Sequence, residues 1–415
     1  MNSLLSDDFR KIVAKDKDLR MSVEAKPDIG YSTGFPTYDA ITTYPVYINN
    51  DSKNLHLKYY CSGITDGTLN GVIGKTGTGK SSFALQVGAN IIRPFKTSVM
   101  FEDSIEGGVT QSRREVLTGF YGDEYINRLV IRNQGITAEN FYKRIKTIHD
   151  LKINNKDKYL YDTGLLDYYG NPVIAFEPTV YILDSVALLY PDDMLDDDDL
   201  KGASSMAVSK SVAVVSQLVS AIIPMLKAAN IIVFAINHIK DDIQIGPFTK
   251  APDVKYLKPG ERLPKGKAVT YLSSNIIRLD NSTKLKPTET FHIDGSIVNI
   301  SNVKTRASAA NRSVPMIFNQ YTGFDPVLSI FQMLKQNNRV NGSGIGLYLD
   351  DYKDYKFSMG NLIEKLESPD FYEVFSKVAS DEIKKNIIDP KEYQHTNVNN
   401  KMAIDIMNSI KWNIS

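Results

Sequence analysis

The chain has a single cysteine, Cys61, among 415 residues. That excludes an internal disulfide framework and fits a reducing compartment; a lone thiol of this kind reads as a small buried apolar residue. An excess of one charge is also missing: 49 Lys and Arg stand against 48 Asp and Glu, a formal net of +1. A nucleic-acid partner would therefore have to be met by local basic loops, not by a global field. No apolar run of membrane-spanning length is expected and the N-terminus carries no signal-peptide pattern, so a cytoplasmic location is expected. Internal repeats and long low-complexity segments are lacking as well. What is there, 42% apolar and 23% charged residues, can build a sizeable core as one large domain with appendages or as two domains.

The chain is organised around Gly74-Lys75-Thr76-Gly77-Thr78-Gly79-Lys80-Ser81. It follows the apolar run Gly71-Val72-Ile73 and opens a helical run from Ser82 to Val87. Strand, glycine loop and helix are the context in which this spacing binds phosphate. Glycines let backbone N–H groups converge on an anion, and the helix start adds free donors and the positive dipole end. Lys80 can reach the outer phosphates and the Ser81 hydroxyl can ligate magnesium. Gly74 through Ser82 is thus the expected contact surface for ATP with Mg2+.

Near-continuous apolar strands alternate with helices: 97–101, 129–131, 180–184, 231–236, 276–279 and 297–300, with helices over 111–120, 138–151 and 209–228, the last expected to kink at Pro224. This predicts an α/β fold whose mostly parallel central sheet is covered on both faces. Ligands in such sheets sit at the carboxyl ends of the strands. An amphipathic helix over 6–24 precedes the core and packs either on it or on a neighbouring subunit. Polar stretches 43–61 and 152–178 read as insertions, the second a hairpin around Tyr169-Gly170-Asn171. Character changes from about Asp325, where helices over 327–334, 360–366 and 369–385 suggest a small C-terminal domain. The expected division is a helical N-terminal segment over 1–30, a core over 31–322 and the small domain over 323–415.

Asp184 closes an apolar strand downstream of the phosphate loop, where a carboxylate can hold magnesium directly or through its water. Glu102 ends the strand after the phosphate-loop helix and is the expected base that polarises the attacking water. Asp103 and Glu106 compete for that role, but the strand delivers Glu102 to the sheet edge. Asn237 and His238 end another central strand and can sense the γ-phosphate. The loop that follows, 241–268, lacks periodicity and contains Lys250, Lys255, Lys258, Arg262, Lys265 and Lys267 with Phe248 and Tyr256 between them. Cations for phosphates and aromatics for bases are what single-stranded DNA contact requires. The run Asp196 to Asp199 reads as a solvated acidic loop that repels DNA. Lys304 and Arg306 follow the last core strand, where cations can reach a neighbour's nucleotide.

In chain order these features resemble the RecA-family recombinases, in the manner of the phage UvsX branch. Ser32-Thr33-Gly34 and Asp39-Ala40 resemble the family's opening motif. The phosphate loop follows, then Phe101-Glu102-Asp103, the magnesium strand Leu183 to Leu188, and Ile236-Asn237-His238-Ile239 with its UvsX-like His. Pro264 to Ala268 resembles the end of the family's second DNA loop, and Lys304 and Arg306 its pair of cations. The resemblance implies a DNA-dependent ATPase that forms helical filaments on single-stranded DNA and pairs it with double-stranded DNA for homologous recombination and repair. ATP would lie between protomers. A hexameric DnaB-type helicase shares this core; the short chain ahead of the core and the C-terminal segment favour the recombinase. A non-catalytic ATP-binding mediator of recombination is the third expectation, disfavoured by a hydrolytic set of side chains.

Overall fold

A strand buried on both faces needs apolar residues at successive positions, not alternate ones. Ile231 to Ile236 meets that requirement: Ile232, Phe234 and Ile236 join one core cluster, Ile231, Val233 and Ala235 the other. The computed structural model describes residues 27–192, 205–241, 254–264, 267–285 and 294–387, without the side chains of 205–211, 267–268 and 282. The helix expected over 6–24, the acidic run 196–199, Lys250 and Lys265 lie outside the described residues.

The central sheet has nine strands. In chain order they are β1 (Leu69–Gly74), β2 (Met100–Ser104), β3 (Leu129–Arg132), β4 (Thr179–Asp184), β5 (Ile231–His238), β6 (Asn275–Leu285), β7 (Gly295–Thr305), β8 (Arg312–Asn319) and β9 (Gly323–Asp325). Their spatial order is β9-β8-β7-β6-β1-β5-β4-β2-β3. Every pairing from β6 across to β3 is parallel, and β7, β8 and β9 continue antiparallel. Because β5 lies between β1 and β4, the phosphate-loop strand and the Asp184 strand share a neighbour. The register sets His238 opposite Gly74, Asp184 opposite Ile236 and Ser104 opposite Asp184. The carboxyl ends of β1, β5, β4 and β2 therefore form one continuous edge.

Helices α1 (Pro36–Thr42), α2 (Lys80–Ile92) and α3 (Gln111–Thr118) cover one face; α4 (Ala138–Asn154), α5 (Ser205–Ala229) and α6 (Lys267–Leu272) cover the other. Helix α5 runs on through Pro224. Its stretch Val212–Ala229 is 18 residues long with mean hydropathy 1.8, enough to cross a membrane by length and composition, contrary to expectation. Val215, Val219, Ile222, Leu226 and Ala229 bury one stripe of it, while Gln217, Ser220, Ala221 and Lys227 are polar or small and exposed or half-buried. Helices α7 (Pro326–Gln336) and α8 (Pro369–Lys385) enclose a separate cluster around Phe331, Leu334, Phe357, Phe371 and Phe375. Asp325 caps α7 by accepting from the Leu328 N–H at 2.8 Å.

Both insertions are antiparallel hairpins, Tyr44–Asn50 with Leu55–Cys61 and Leu160–Leu166 with Pro172–Phe176. They meet where Asn50 Nδ2 donates to Tyr168 O at 2.9 Å. Asp39 explains the opening motif: it accepts from the Thr33 N–H at 3.0 Å and the Thr33 and Ser32 hydroxyls at 2.6 and 2.5 Å. Thr33 O in turn accepts from Asn90 Nδ2 at 2.9 Å, which ties the motif to the phosphate-loop helix.

Candidate nucleotide-binding site

Between β1 and α2 the loop is shaped by what its glycines meet. Gly79, the residue before α2, has φ +84°, and a Cβ there would lie 3.0–3.1 Å from the rings of Phe318 and Phe324. A side chain at Gly74 would come within 2.6 Å of Leu279 O. Thr78 is buried and its hydroxyl donates to Lys75 O at 2.9 Å. Lys80 is 4% exposed, and its Nζ donates to the same carbonyl at 2.9 Å. The loop is thus folded around the lysine that would meet phosphate. A cavity of about 310 Å³ opens above it, lined by Gly77, Gly79, Lys80, Ser81, Ser82, His238, Phe318 and Gln320. Of the remaining expected contacts, Gly74 and Thr78 support the loop from beneath and Thr76 lies exposed at its tip. Lys75 turns aside to pair with Asp241 at 2.7 Å.

Ser81 Oγ donates to Asp184 Oδ2 at 2.5 Å. Asp184 Oδ1 is buried and has no hydrogen-bond partner among the described residues. A hydroxyl and a carboxylate with an unused oxygen fit a hard divalent cation, so Ser81 and Asp184 suit magnesium. Burial pushes the Asp184 carboxyl up to about 6; the Ser81 hydroxyl opposes this and the Glu106 carboxylate adds to it. Burial likewise pushes the Lys80 ammonium down to about 8, against the pull of Asp184 and Glu106. Burial, and then the Lys80 charge, hold the His238 imidazole below its ordinary value.

A carboxyl with a raised folded-state pKa favours the fold at pH below its unfolded value, and that contribution is lost as pH rises through the folded value. Ionised Asp184 is therefore a net cost to the nucleotide-free protein above about pH 6. Asp184→Asn, which keeps an acceptor for Ser81, is expected to raise stability at pH 7.5 by up to about 3 kcal/mol and by little at pH 4. Urea melts at the two pH values check this; a pH-independent difference would reject burial as the cause.

Glu102 does not line the cavity, although its carboxylate still bears on Asp184. Strand β2 extends to Ser104, two residues beyond Glu102, so the side chain emerges inside the covered face of the sheet. It is 3% exposed and forms a bidentate pair with Arg114 of α3, at 2.6 and 2.8 Å. Asp103 points to the other face, where it pairs with Arg144 at 2.5 Å and accepts the Tyr181 hydroxyl. Glu106, four residues on, lies at the carboxyl edge beside Asp184 and His238. Its N–H and that of Ile105 meet Asp184 O, and its carboxylate contacts His238 Nε2 at 2.9 Å and accepts from Ser185 Oγ at 2.9 Å. Gly107-Gly108, which follows it, was the sequence signal that the strand had ended. Phe318 and Gln320 were not legible locally, because β8 brings them to the loop from more than two hundred positions away.

Asn237 ties the His238 strand to the lysine-rich loop: its Nδ2 donates to Pro264 O at 2.9 Å. With Lys75–Asp241, both ends of that loop are bonded to the nucleotide edge. Within it, Lys255, Lys258 and Arg262 are exposed, and Lys258 approaches Asp280 at 3.5 Å. The side chain of Lys267, which opens α6, is outside the description, as is Lys265. Lys304 Nζ donates to Thr270 O and Tyr271 O at 2.9 and 2.8 Å, and Arg306 reaches Tyr271 O at 3.4 Å. Both cations sit at the carboxyl end of α6, where the dipole favours them. Neither lines the cavity of its own chain.

No protein-family model matches the chain, and no curated protein matches it. Among solved structures, a RadB recombinase is similar over 63% of this chain and 92% of its own, with 17% identity and a TM-score of 0.37. The sheet order and the glycine loop describe an α/β core whose mostly parallel sheet carries a phosphate-loop motif at its carboxyl edge.

Proposed function

We propose that the chain is an ATP-hydrolysing recombinase of the RecA kind, active as a filament on single-stranded DNA. The observation that carries the reading is the single edge at which Lys80 and Ser81 of α2, Glu106 of the loop after β2, Asp184 of β4 and His238 of β5 converge. Lys80 would bind the outer phosphates, while Glu106 would orient and deprotonate water. When bound, Mg2+ on Ser81 and Asp184 would neutralise charge on the phosphates. His238 touches Glu106 and belongs to the strand that continues into the lysine-rich loop. Loss of the γ-phosphate would be felt at His238 and carried through Asn237–Pro264 and Lys75–Asp241 to both ends of that loop. Lys255, Lys258 and Arg262 would meet the DNA backbone, and Lys304 and Arg306 would complete the nucleotide site of a neighbouring protomer. His238 at the second position of its pair favours the phage UvsX-like branch, and such a protein would work in the host cytoplasm.

The test is negative-stain electron microscopy with single-stranded DNA and a slowly hydrolysed ATP analogue, paired with an ATPase assay. Helical filaments that need both ligands are expected, with turnover stimulated by DNA and reduced on the order of 1,000-fold by Lys80→Ala. Closed six-membered rings would favour a helicase. Particles indifferent to DNA, with no turnover, would favour a mediator.

A further inference from the structure

We infer that Glu106, Asp184 and His238 form a binding site for a borderline divalent metal ion, zinc foremost, in the nucleotide-free protein. One ligand atom from each lies within 4.8 Å of the other two. Glu106 and His238 are already in contact at 2.9 Å. Asp184, 5% exposed, has a buried Oδ1 that no other described residue satisfies. A buried carboxylate oxygen left unpaired is costly, and an ion relieves it. The three ligands come from the ends of β4 and β5 and the loop after β2, so a rigid parallel sheet sets their spacing. Outer support is in place too: the fully buried Ser185 donates to Glu106 Oε1.

The nitrogen ligand decides the class of ion. Magnesium demands oxygen ligands in near-octahedral array, whereas imidazole with carboxylates suits zinc, cobalt and manganese. Tetrahedral zinc with bonds of ~2.0–2.2 Å holds its ligands ~3.3–3.5 Å apart. Side-chain rotations of roughly 1 Å reach that from the observed spacing. Among the described residues the opposing charges are Lys80, whose ammonium is occupied by Lys75 O, and the exposed Lys240, which bears on His238; the two carboxylates stand nearer the ion. Binding stands on the three side chains alone, while its consequence rests on the ATPase reading. Zinc would withdraw the water-activating and the magnesium-holding carboxylates together, so it would inhibit hydrolysis and compete with Mg–ATP.

The experiment is calorimetric titration of the full-length, nucleotide-free chain with zinc chloride, with magnesium chloride as the control ion. One equivalent of zinc is expected at a concentration where magnesium gives no signal. His238→Gln and Glu106→Gln should each weaken it on the order of 100-fold, whereas His149→Gln, on α4 away from the site, should not. Cobalt absorption of the unmodified chain gives a second reading independent of variant folding: tetrahedral visible bands should appear and vanish on adding Mg–ATP. Zinc binding unaffected by His238→Gln, or cobalt bands indifferent to Mg–ATP, would overturn the site. A chain that takes up a fluorescent ATP analogue but no zinc would sink the metal site and leave the ATPase reading intact. One that binds zinc here but no analogue would do the reverse.

Discussion

Glu106→Gln is expected to bind nucleotide like the parent chain and to hydrolyse it roughly 100- to 10,000-fold more slowly, the range supplied by a positioned general base. Gln keeps the shape and accepts from Ser185 but cannot take a proton from water. Glu102→Gln should behave in the opposite way. It leaves the Arg114 guanidinium, with 8% of its side chain exposed, without its carboxylate. Breaking a buried pair by removing one partner costs about 3–5 kcal/mol, so this variant should melt early yet turn over ATP normally per folded molecule. Urea melts and single-turnover hydrolysis on both variants separate the two roles. A Glu102→Gln chain that melts with the parent but fails to hydrolyse would return the base to Glu102.

That pair of variants marks the boundary of what the sequence made legible. The phosphate loop, Asp184 and the His238 strand were readable because each is a local pattern: a glycine spacing, or an apolar run that ends in a polar residue. The central sheet was readable for the same reason, since strands buried on both faces cannot hide among alternating ones. Glu102 was expected at the sheet's edge; a two-residue difference in the end of the strand places its side chain in a buried pair with Arg114. Composition does not fix that end: Glu102, Asp103 and Ser104 are all polar yet all lie inside β2, and each is 2–3% exposed. What buries them, Arg114, Arg144 and Tyr181, comes from other elements and has no signature near residue 102. Phe318 and Gln320 were invisible for a related reason, since only the antiparallel extension of the sheet carries them to the loop. The insertions were legible as departures in composition, the second also as a hairpin, but their contact was not, because the Asn50–Tyr168 bond joins them across more than a hundred residues.

Arg278→Met is expected to destabilise the chain by about 3–5 kcal/mol and to loosen the lysine-rich loop while the phosphate loop still binds nucleotide. Arg278 has 4% of its side chain exposed and holds Glu261 bidentately at 2.8 and 2.9 Å. It also holds Asp280 at 2.8 Å and donates to Tyr256 O at 2.9 Å. Glu261 in turn accepts from the Lys258 N–H at 2.8 Å, so one guanidinium from β6 anchors the segment that presents Lys255, Lys258 and Arg262. Removing it strands the Glu261 carboxylate in the core, which is the expensive half of breaking a buried pair. Removing both partners should cost far less, because an apolar pair of similar volume has no charge left to desolvate. Arg278→Met with Glu261→Met should therefore recover most of the lost stability without restoring the loop. Urea melts of the two single variants and the double variant give the coupling, and single-stranded DNA affinity reports the loop. If the double variant regained DNA affinity together with stability, the anchor would matter only to the fold and Lys255, Lys258 and Arg262 would not depend on it. If stability returned and affinity did not, the Arg278–Glu261 pair would be what orders the loop for DNA, and its net worth to the fold would be small.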